Sequence, residues 1–103
     1  MNLVASMVTY TVEAANAEEL HKRVETYLLP AARALPGYHG FLLIDQGDDR
    51  RLALIFFETP QQVMQAQQAL TPIGEEHTYA LMSGPATGSL GRVLVHDGLA
   101  ASD

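Results

Sequence analysis

Cysteine and tryptophan are missing from this sequence, and Lys22 is its single lysine. Without cysteine the chain can form neither disulfides nor zinc–thiolate sites, and it has no thiolate nucleophile. Six basic residues stand against twelve acidic ones, which gives a formal net charge of -6 at pH 7. A chain of this charge has no basic stripe that could follow a phosphate backbone, so the composition argues against nucleic acid as a partner.

Long hydrophobic runs and targeting signals are also lacking. Residues 1–8 are only partly apolar and carry neither a positive segment nor a small-residue cleavage site, so we expect no secretory signal, no membrane partner and a cytoplasmic location. The 103 residues are 48% hydrophobic, which suits one compact domain. We assign residues 1–98 to this domain and expect residues 99–103 to form a loose tail.

The strongest local signal is a β-hairpin between Pro36 and Thr59. Residues 38–45 and 51–58 are two apolar runs rich in leucine, isoleucine and phenylalanine, as expected of paired strands. The stretch between them, QGDDR at 46–50, has the composition of a turn. We expect the rest of the chain to be organised around this hairpin.

A strand and a proline-broken helix precede the hairpin. Residues 3–12 are rich in β-branched side chains and predict a buried first strand. Asn16 and Glu19 form a capping-box pattern, so the first helix is predicted to begin there. Pro30 lies within the apolar repeat of this helix and cannot donate a backbone hydrogen bond, which predicts a kink or break near Tyr27.

A second helix and a last strand follow the hairpin. Thr59 and Gln62 form another capping-box pattern, with proline at the first helical position. The motif TPIG at 71–74 predicts an interruption in a kinked helix that ends near Met82. Residues 90–96 predict the last strand, after a glycine-rich loop. The predicted inner stripe of the second helix comprises Val63, Ala66, Leu70 and Ile73.

The element order βαββαβ predicts an α+β, ferredoxin-like fold with a four-stranded antiparallel sheet and two helices on one face. Strands two and three nevertheless carry apolar residues on both faces. Because an uncovered apolar face favours aggregation, we expect a homodimer in which a second sheet covers it and closes an α/β barrel. We place Phe41, Ile55 and Phe57 on that shared face.

Four segments of the chain, which together span nearly all of it, resemble a known family. They are the first strand VTYTV, the proline-broken helix that leads into strand two, LLPAARALPGYHGF, the hairpin DQGDDRRLALIFFET and the closing GRVLVHDG. On these segments the sequence resembles the dimeric α/β-barrel superfamily and, within it, the antibiotic-biosynthesis-monooxygenase-like (ABM) domains. The resemblance implies a dimeric ferredoxin-like fold.

The same resemblance implies two kinds of function. Similar proteins include cofactor-free oxygenases of polycyclic phenols, quinol oxygenases, haem-degrading enzymes and proteins with no known activity. The first hypothesis is a small cofactor-free oxygenase of a planar aromatic or quinone-like substrate. The alternative is a non-enzymatic dimeric module for ligand binding or assembly, and the sequence leaves open whether the chain is an enzyme. Because tryptophan is absent and strand one has no asparagine in its middle, we predict no cofactor and treat haem as disfavoured.

Four residues are candidates for a pocket between the helices and the sheet. Tyr10 lies in the buried first strand and His77 continues the inner stripe of the second helix, so both are candidate catalytic residues. His77 is the candidate general base because imidazole titrates near neutrality, and by resemblance it is the candidate haem ligand. Tyr79 and His39 are candidate ligand-binding residues. Each has a structural alternative, which is core packing for the tyrosines and a surface, core or dimer-rim position for the histidines.

The remaining charged residues predict little chemistry. Glu75, Glu76 and His77 are adjacent in sequence, but adjacent helical residues point in different directions, so no metal site is predicted. We expect four arginines to be surface charges, namely Arg33, Arg50, Arg51 and Arg92. Arg92 has an alternative, because it alternates inside the last strand and can pair across the dimer. A deep pocket with convergent polar groups would favour the enzyme, whereas a pocket filled by methionine (Met7, Met64 or Met82) would favour the module.

Overall fold

The computed structural model describes residues 2–99 and confirms the predicted order of elements. The strands are β1 (Val4–Thr11), β2 (Gly40–Gly47), β3 (Arg50–Phe57) and β4 (Thr87–Arg92). The helices are α1 (Ala14–Arg23), α2 (Leu29–Arg33) and α3 (Pro60–His77). Of the predicted tail at 99–103, residue 99 alone lies within the described residues.

The four strands form one antiparallel sheet in the order β2-β3-β1-β4. Its hairpin turns at Asp48 and Asp49, whose φ angles of 53° and 63° lie in the left-handed region that aspartate tolerates. Two successive residues of this kind twist the backbone in the sense that suits a tight β-hairpin. The sheet and helices therefore have the ferredoxin-like arrangement that the sequence predicts.

The first helix is interrupted where proline predicts a break. A π-helical turn, Val24–Leu28, separates α1 from α2. Pro30 has no N–H for the carbonyl of Thr26, and its ring crowds that carbonyl, so the α-helical hydrogen bonds are interrupted at this point. The predicted start of the helix is wrong, because α1 begins after Glu13 with no side-chain cap.

The long helix α3 begins at the predicted capping box. The Gln62 N–H donates to the Thr59 hydroxyl at 3.2 Å, and the Thr59 N–H donates to the Gln62 side chain at 3.0 Å. The predicted interruption at 71–74 is wrong, because α3 passes through Pro72 and ends at His77. Pro72 lies on the exposed side of the helix, where water can solvate the carbonyl that proline leaves without a donor.

The last strand lies earlier in the chain than predicted. The sequence pattern places it at 90–96, whereas β4 spans Thr87–Arg92. The ends of β4 are set by its pairing with β1. Thr87 lies opposite Thr9 at one end, and Arg92 lies opposite Val4 at the other. The apolar run that continues to residue 95 therefore lies beyond the sheet.

The register of the strands determines which face meets the helices. Val4 pairs with Phe57, and Ile55 pairs with both Ser6 and Phe41; directly opposed residues share a face. That face packs on α3, in a core that includes Val63, Ala66 and Leu70. The placement of Phe41, Ile55 and Phe57 against a second sheet is therefore wrong. Strand alternation identifies two sets of side chains but does not say which set the helices cover.

The opposite face of the sheet is apolar and open within the described residues. Leu42 pairs with Leu54 and Ile44 pairs with Leu52 across β2 and β3. Leu42 is 45% exposed and Ile44 is 39% exposed. The prediction that apolar side chains occupy both faces of the sheet is thus confirmed, with the two faces exchanged.

Thr59→Ala is expected to lower the free energy of unfolding by about 1 kcal/mol, because it removes the oxygen that caps α3. Gln61→Ala, at an exposed position in the first turn, is the control and is expected to stay within about 0.5 kcal/mol of the parent protein. Chemical denaturation followed by circular dichroism measures both variants. Equal stability of the two would show that the cap does not support the fold.

Candidate functional site

A cavity of about 140 Å³ lies between the helices and the covered face of the sheet. Alternate residues of β1, namely Ser6, Val8 and Tyr10, line it together with side chains of β2 and β3. The helical part of the lining comes mainly from the π-helical turn and from α3. Since a cavity of about 150 Å³ holds benzene in a protein core, this one has room for about one aromatic ring.

The π-helical turn forms one wall of this cavity. Val24 and Leu28, its first and last residues, both line the space. Such turns are rare, and they occur frequently at functional sites because they displace side chains from regular helical positions. Pro30 interrupts the α-helical hydrogen bonds beside this wall.

Tyr10 lines the cavity and carries an unpaired hydroxyl. The residue is 6% exposed, and among the described residues its hydroxyl is the one buried side-chain polar atom without a hydrogen-bond partner. Burial raises the pKa of the Tyr10 hydroxyl above its ordinary value of 10.0, and the positive charge of Arg51 partly offsets this rise. The hydroxyl is therefore protonated at neutral pH and keeps a hydrogen-bond donor that the described chain does not use.

Tyr79 lies at the opening of the cavity, where it lines the space and is 43% exposed. Its ring packs directly on Gly74, since a Cβ atom added at Gly74 would lie only 2.5 Å from the ring. Thr78 lines the cavity as well and donates its hydroxyl to the Gly74 carbonyl at 3.2 Å. The absence of a Cβ atom at Gly74 thus allows the Tyr79 ring to pack against the end of α3.

His77 lies outside the cavity, so the inward orientation predicted for it is wrong. Its imidazole stacks on the Tyr27 ring, with the centroids 3.7 Å apart, and its carbonyl accepts a 3.0 Å hydrogen bond from Arg23. The inner stripe of α3 runs through Gly74 to Thr78, one residue later than the sequence pattern predicts. The catalytic role of His77 stays a prediction, and no contact between His77 and the cavity supports it.

His39 also lies outside the cavity lining. Its Nε2 atom lies 2.8 Å from a carboxylate oxygen of Glu58, and 8% of its side chain is exposed. Its backbone N–H donates to the Phe56 carbonyl at 2.8 Å. These contacts fix His39 just before β2, and the ligand-binding role predicted for it stays a prediction.

Several polar residues of the site escaped the sequence analysis. Ser6 and Thr78 are buried and line the cavity. The prediction that Arg51 is a surface charge is wrong, because this residue is 9% exposed. Strand alternation is the signal that could have revealed it, since Arg51 shares the covered face of β3 with Ala53 and Ile55.

Methionine does not fill the cavity. Met64 is 58% exposed, and Met7 lies on the open face of the sheet, opposite Leu54. Met82 is the one of the three that lines the cavity. A cavity with polar groups and little methionine is the arrangement that favours a ligand-binding or catalytic site.

No cluster of three or more histidine, aspartate or glutamate side chains within residues 2–99 could hold a metal ion. No helix of the described chain has both the length and the apolar character needed to cross a membrane.

Comparison with protein-family models found no match, and comparison with curated proteins found none either. Solved structures do match over most of the chain. One is a protein provisionally named an antibiotic biosynthesis monooxygenase, from Bordetella bronchiseptica; it is 13% identical, covers 92% of this chain and 100% of its own, and has a TM-score of 0.80.

Two further solved structures contain ligands. The monooxygenase from the gene ActVA-Orf6 of Streptomyces coelicolor, in complex with nanaomycin D, is 17% identical over 91% of this chain and 89% of its own, with a TM-score of 0.75. The haem degrader MhuD of Mycobacterium tuberculosis, with two haems in its active site, is 23% identical over 92% of this chain and 99% of its own, with a TM-score of 0.69.

This chain has the ABM-like fold. Structural likeness at 13% and 23% sequence identity shows the fold of this chain and not its reaction. The prediction of no cofactor, with haem disfavoured, is contradicted, because MhuD has the same fold and holds haem in its active site. The absence of tryptophan and of a strand-one asparagine therefore does not decide which ligand an ABM-like domain binds.

Tyr10→Phe is expected to raise the free energy of unfolding by about 1 kcal/mol, because it removes a buried hydroxyl that has no partner. Tyr38→Phe is the control: Tyr38 is half-buried, lies outside the cavity lining and is expected to change stability by less than about 0.5 kcal/mol. Denaturation of both variants at neutral pH gives the comparison. A loss of stability in Tyr10→Phe would mean that the hydroxyl has a partner in the folded protein.

The raised pKa of Tyr10 also predicts a pH dependence. The folded state favours the protonated hydroxyl, so this contribution to stability is present below the ordinary pKa of 10.0 and is lost as pH rises through the folded-state pKa. The parent protein is expected to lose more stability than Tyr10→Phe between about pH 8 and about pH 11. Parallel pH dependence of the two proteins would contradict the shift.

Proposed function

We propose that the cavity binds a planar aromatic or quinone-like molecule and that the protein is a small oxygenase acting on it. The Tyr10 hydroxyl carries this proposal, because it is a buried, protonated donor without a partner on a residue that lines a largely apolar cavity. Sites for small molecules typically combine apolar walls with a few polar groups that fix orientation. Nanaomycin D in the S. coelicolor monooxygenase supports the binding of a small molecule by this fold.

The chemistry assigned to Tyr10 is stabilisation of negative charge on the substrate. A buried donor aimed at a phenolate or enolate oxygen stabilises that anion, and the anion supplies electrons to O₂. For a ring CH₂ group the balance is R₂CH₂ + O₂ → R₂C=O + H₂O, in which one oxygen atom enters the carbonyl and the other leaves as water. The described lining holds neither imidazole nor carboxylate, so the substrate loses its first proton to solvent.

The cavity taken alone is smaller than the usual site for a ligand of haem size. Its volume of about 140 Å³ is below the roughly 300 Å³ at which pockets for drug-sized ligands begin. Its described lining contains no histidine, although Tyr10, Tyr79 and Met82 carry oxygen or sulfur atoms of the kind that ligate haem iron in other proteins. We assign no residue to haem iron, and haemin is one of the probes because MhuD holds haem.

Ligand binding without catalysis is the second candidate function. The absence of a general base from the described lining favours it, because proton abstraction inside the cavity would need one. Oxygen consumption distinguishes the two candidates. Saturable binding with no oxygen uptake would support the binding module and exclude the oxygenase for that probe.

We also propose that two copies associate through the open face of the sheet. Leu42 and Ile44 are exposed there, next to the apolar side chains of Leu52 and Leu54. Contiguous apolar surface of this kind is typical of an interface, and closed two-fold dimers are the commonest oligomers. The partner proposed for this face is a second copy of the chain.

The protein is expected to bind 1-naphthol and the quinone menadione, as measured by calorimetric titration. Oxygen uptake is recorded in parallel for 1-naphthol, because menadione has no phenol or ring CH₂ group that this reaction could oxidise. Tyr10→Phe should weaken binding about five- to tenfold, which corresponds to the loss of one hydrogen bond. Tyr38→Phe and His77→Ala should bind like the parent, because neither residue lines the cavity.

Two results would contradict this proposal. Failure of the parent protein to bind 1-naphthol, menadione and haemin would exclude the cavity as a site for such molecules. A loss of affinity in His77→Ala, with none in Tyr10→Phe, would move the site to the surface cleft beside Tyr27, which His77 lines.

Leu42→Asp is expected to convert a dimer into a folded monomer, because burying a carboxylate in an apolar interface is costly whereas an exposed one is not. Met64→Asp is the matched control, since Met64 is 58% exposed on the helical side of the molecule. Light scattering with circular dichroism measures mass and fold together. A parent protein that is monomeric at micromolar concentration would exclude the proposed interface.

A further inference from the structure

Arg51 is the one charged residue that the structure buries among residues 2–99. Its Nη1 atom donates to an Asp45 carboxylate oxygen at 3.0 Å and to the Arg50 carbonyl at 3.1 Å. Its Nε atom donates to Nε2 of His21 at 3.4 Å, which requires the neutral imidazole with its proton on Nδ1. The second terminal nitrogen, Nη2, has no hydrogen-bond partner in the described chain.

A cleft of about 440 Å³ lies beside this guanidinium group. The polar residues that line the cleft are His21, Glu25, Asp45 and Arg51. Three apolar side chains line both the cleft and the cavity, namely Val24, Phe41 and Leu43. The two spaces therefore adjoin, and Tyr10 lines the cavity whereas Arg51 lines the cleft.

The Tyr10 and Arg51 positions are directly opposed in the β1–β3 register. Directly opposed residues share a face and lie within about 5.5 Å of each other at Cβ. The influence of Arg51 on the pKa of Tyr10 reflects the same proximity. One ligand can therefore reach both groups if its polar atoms lie on one edge of an aromatic ring system.

The carboxylates near Arg51 leave it able to bind a ligand anion. The Asp45 side chain is 68% exposed, and water weakens an ion pair whose carboxylate is this accessible. Glu25 is exposed on the π-helical turn and has no contact with Arg51 among the hydrogen bonds and ion pairs of the described residues. A ligand anion must displace or share the contact with Asp45, which makes Asp45 a competitor.

The size of the cavity also indicates that one ligand occupies both the cavity and the cleft. About 140 Å³ accommodates one ring, so a bicyclic ligand must extend from the cavity into the cleft. The part of the ligand that enters the cleft meets a buried guanidinium with donors to spare. Arginine presents paired N–H groups that match a carboxylate in geometry and charge.

We propose that the ligand is an aromatic hydroxy acid, whose ring lies in the cavity and whose carboxylate is bound by Arg51 in the adjoining cleft. This inference rests on the proposed function, because it requires the cavity to hold the aromatic ring. It adds the class of substrate and a residue that selects it. The phenolic oxygen of such a ligand accepts the hydrogen bond from Tyr10.

The test compares 1-naphthol with 1-hydroxy-2-naphthoate, which differ by one carboxylate. The parent protein is expected to bind the acid about tenfold or more tightly than 1-naphthol, because a charge-assisted pair with a buried arginine is strong. Arg51→Gln should remove this preference, so that its affinities for the two probes lie within about twofold of each other. Arg50→Gln is the control, since Arg50 is exposed on the open face and should not change the preference.

Asp45→Asn provides an independent arm of the test. This variant keeps the Oδ1 acceptor for the Gly47 N–H but removes the charge that competes for Arg51. It should therefore bind 1-hydroxy-2-naphthoate about two- to fivefold more tightly than the parent and 1-naphthol equally well. If Arg51→Gln does not fold, the Asp45→Asn variant alone tests the inference. An unchanged affinity of Asp45→Asn for the acid then overturns it.

The outcomes separate this inference from the proposed function. Equal affinity of the parent for both probes, with no effect of Arg51→Gln or Asp45→Asn, overturns the role of Arg51 and leaves the cavity as the binding site. Failure of the parent to bind either probe removes the proposed function as well. Retention of the preference for the acid in Arg51→Gln also overturns the inference.

Discussion

The antiparallel pairing of β1 with β3 is the constraint on which the site depends. Because strand side chains alternate with a period of two, this register places Ser6 with Ile55 and Tyr10 with Arg51 on the face that the helices cover. A slip of one residue between the two strands would move the pair of one strand, either Ser6 and Tyr10 or Ile55 and Arg51, to the open face. The register thus sets the cavity floor, the position of its donor and the position of the buried cation together.

Protein interiors are close-packed, so a cavity between helices and sheet needs a structural cause. Two irregularities of the backbone provide it here. Pro30 interrupts the α-helical hydrogen bonds beside the π-helical turn that forms one wall, and Gly74 lets the Tyr79 ring pack on the end of α3. Both residues act through what they lack, which is an N–H in one case and a Cβ atom in the other.

The polar groups of the site are costly to the folded state. Tyr10 buries a hydroxyl without a partner, and Arg51 buries a guanidinium whose carboxylate partner is largely in water. Neither arrangement is what optimal packing would select. Local conflicts of this kind are typical of functional sites, where stability is given up for an interaction with a ligand.

The sequence by itself determined the order of the elements, because caps, prolines and apolar periodicity act over a few residues. The cap at Thr59 and the break near Tyr27 are signals of this local kind. Only the tertiary structure decided which apolar face is covered. Phe41 belongs to one of two alternating sets of side chains on its strand, and both sets are apolar, so the strand pattern does not distinguish them. Only it decided that His77 lies outside the cavity, because one residue along a helix turns a side chain by about 100°. It also decided the burial of Arg51, which depends on side chains that the fold brings together from different elements.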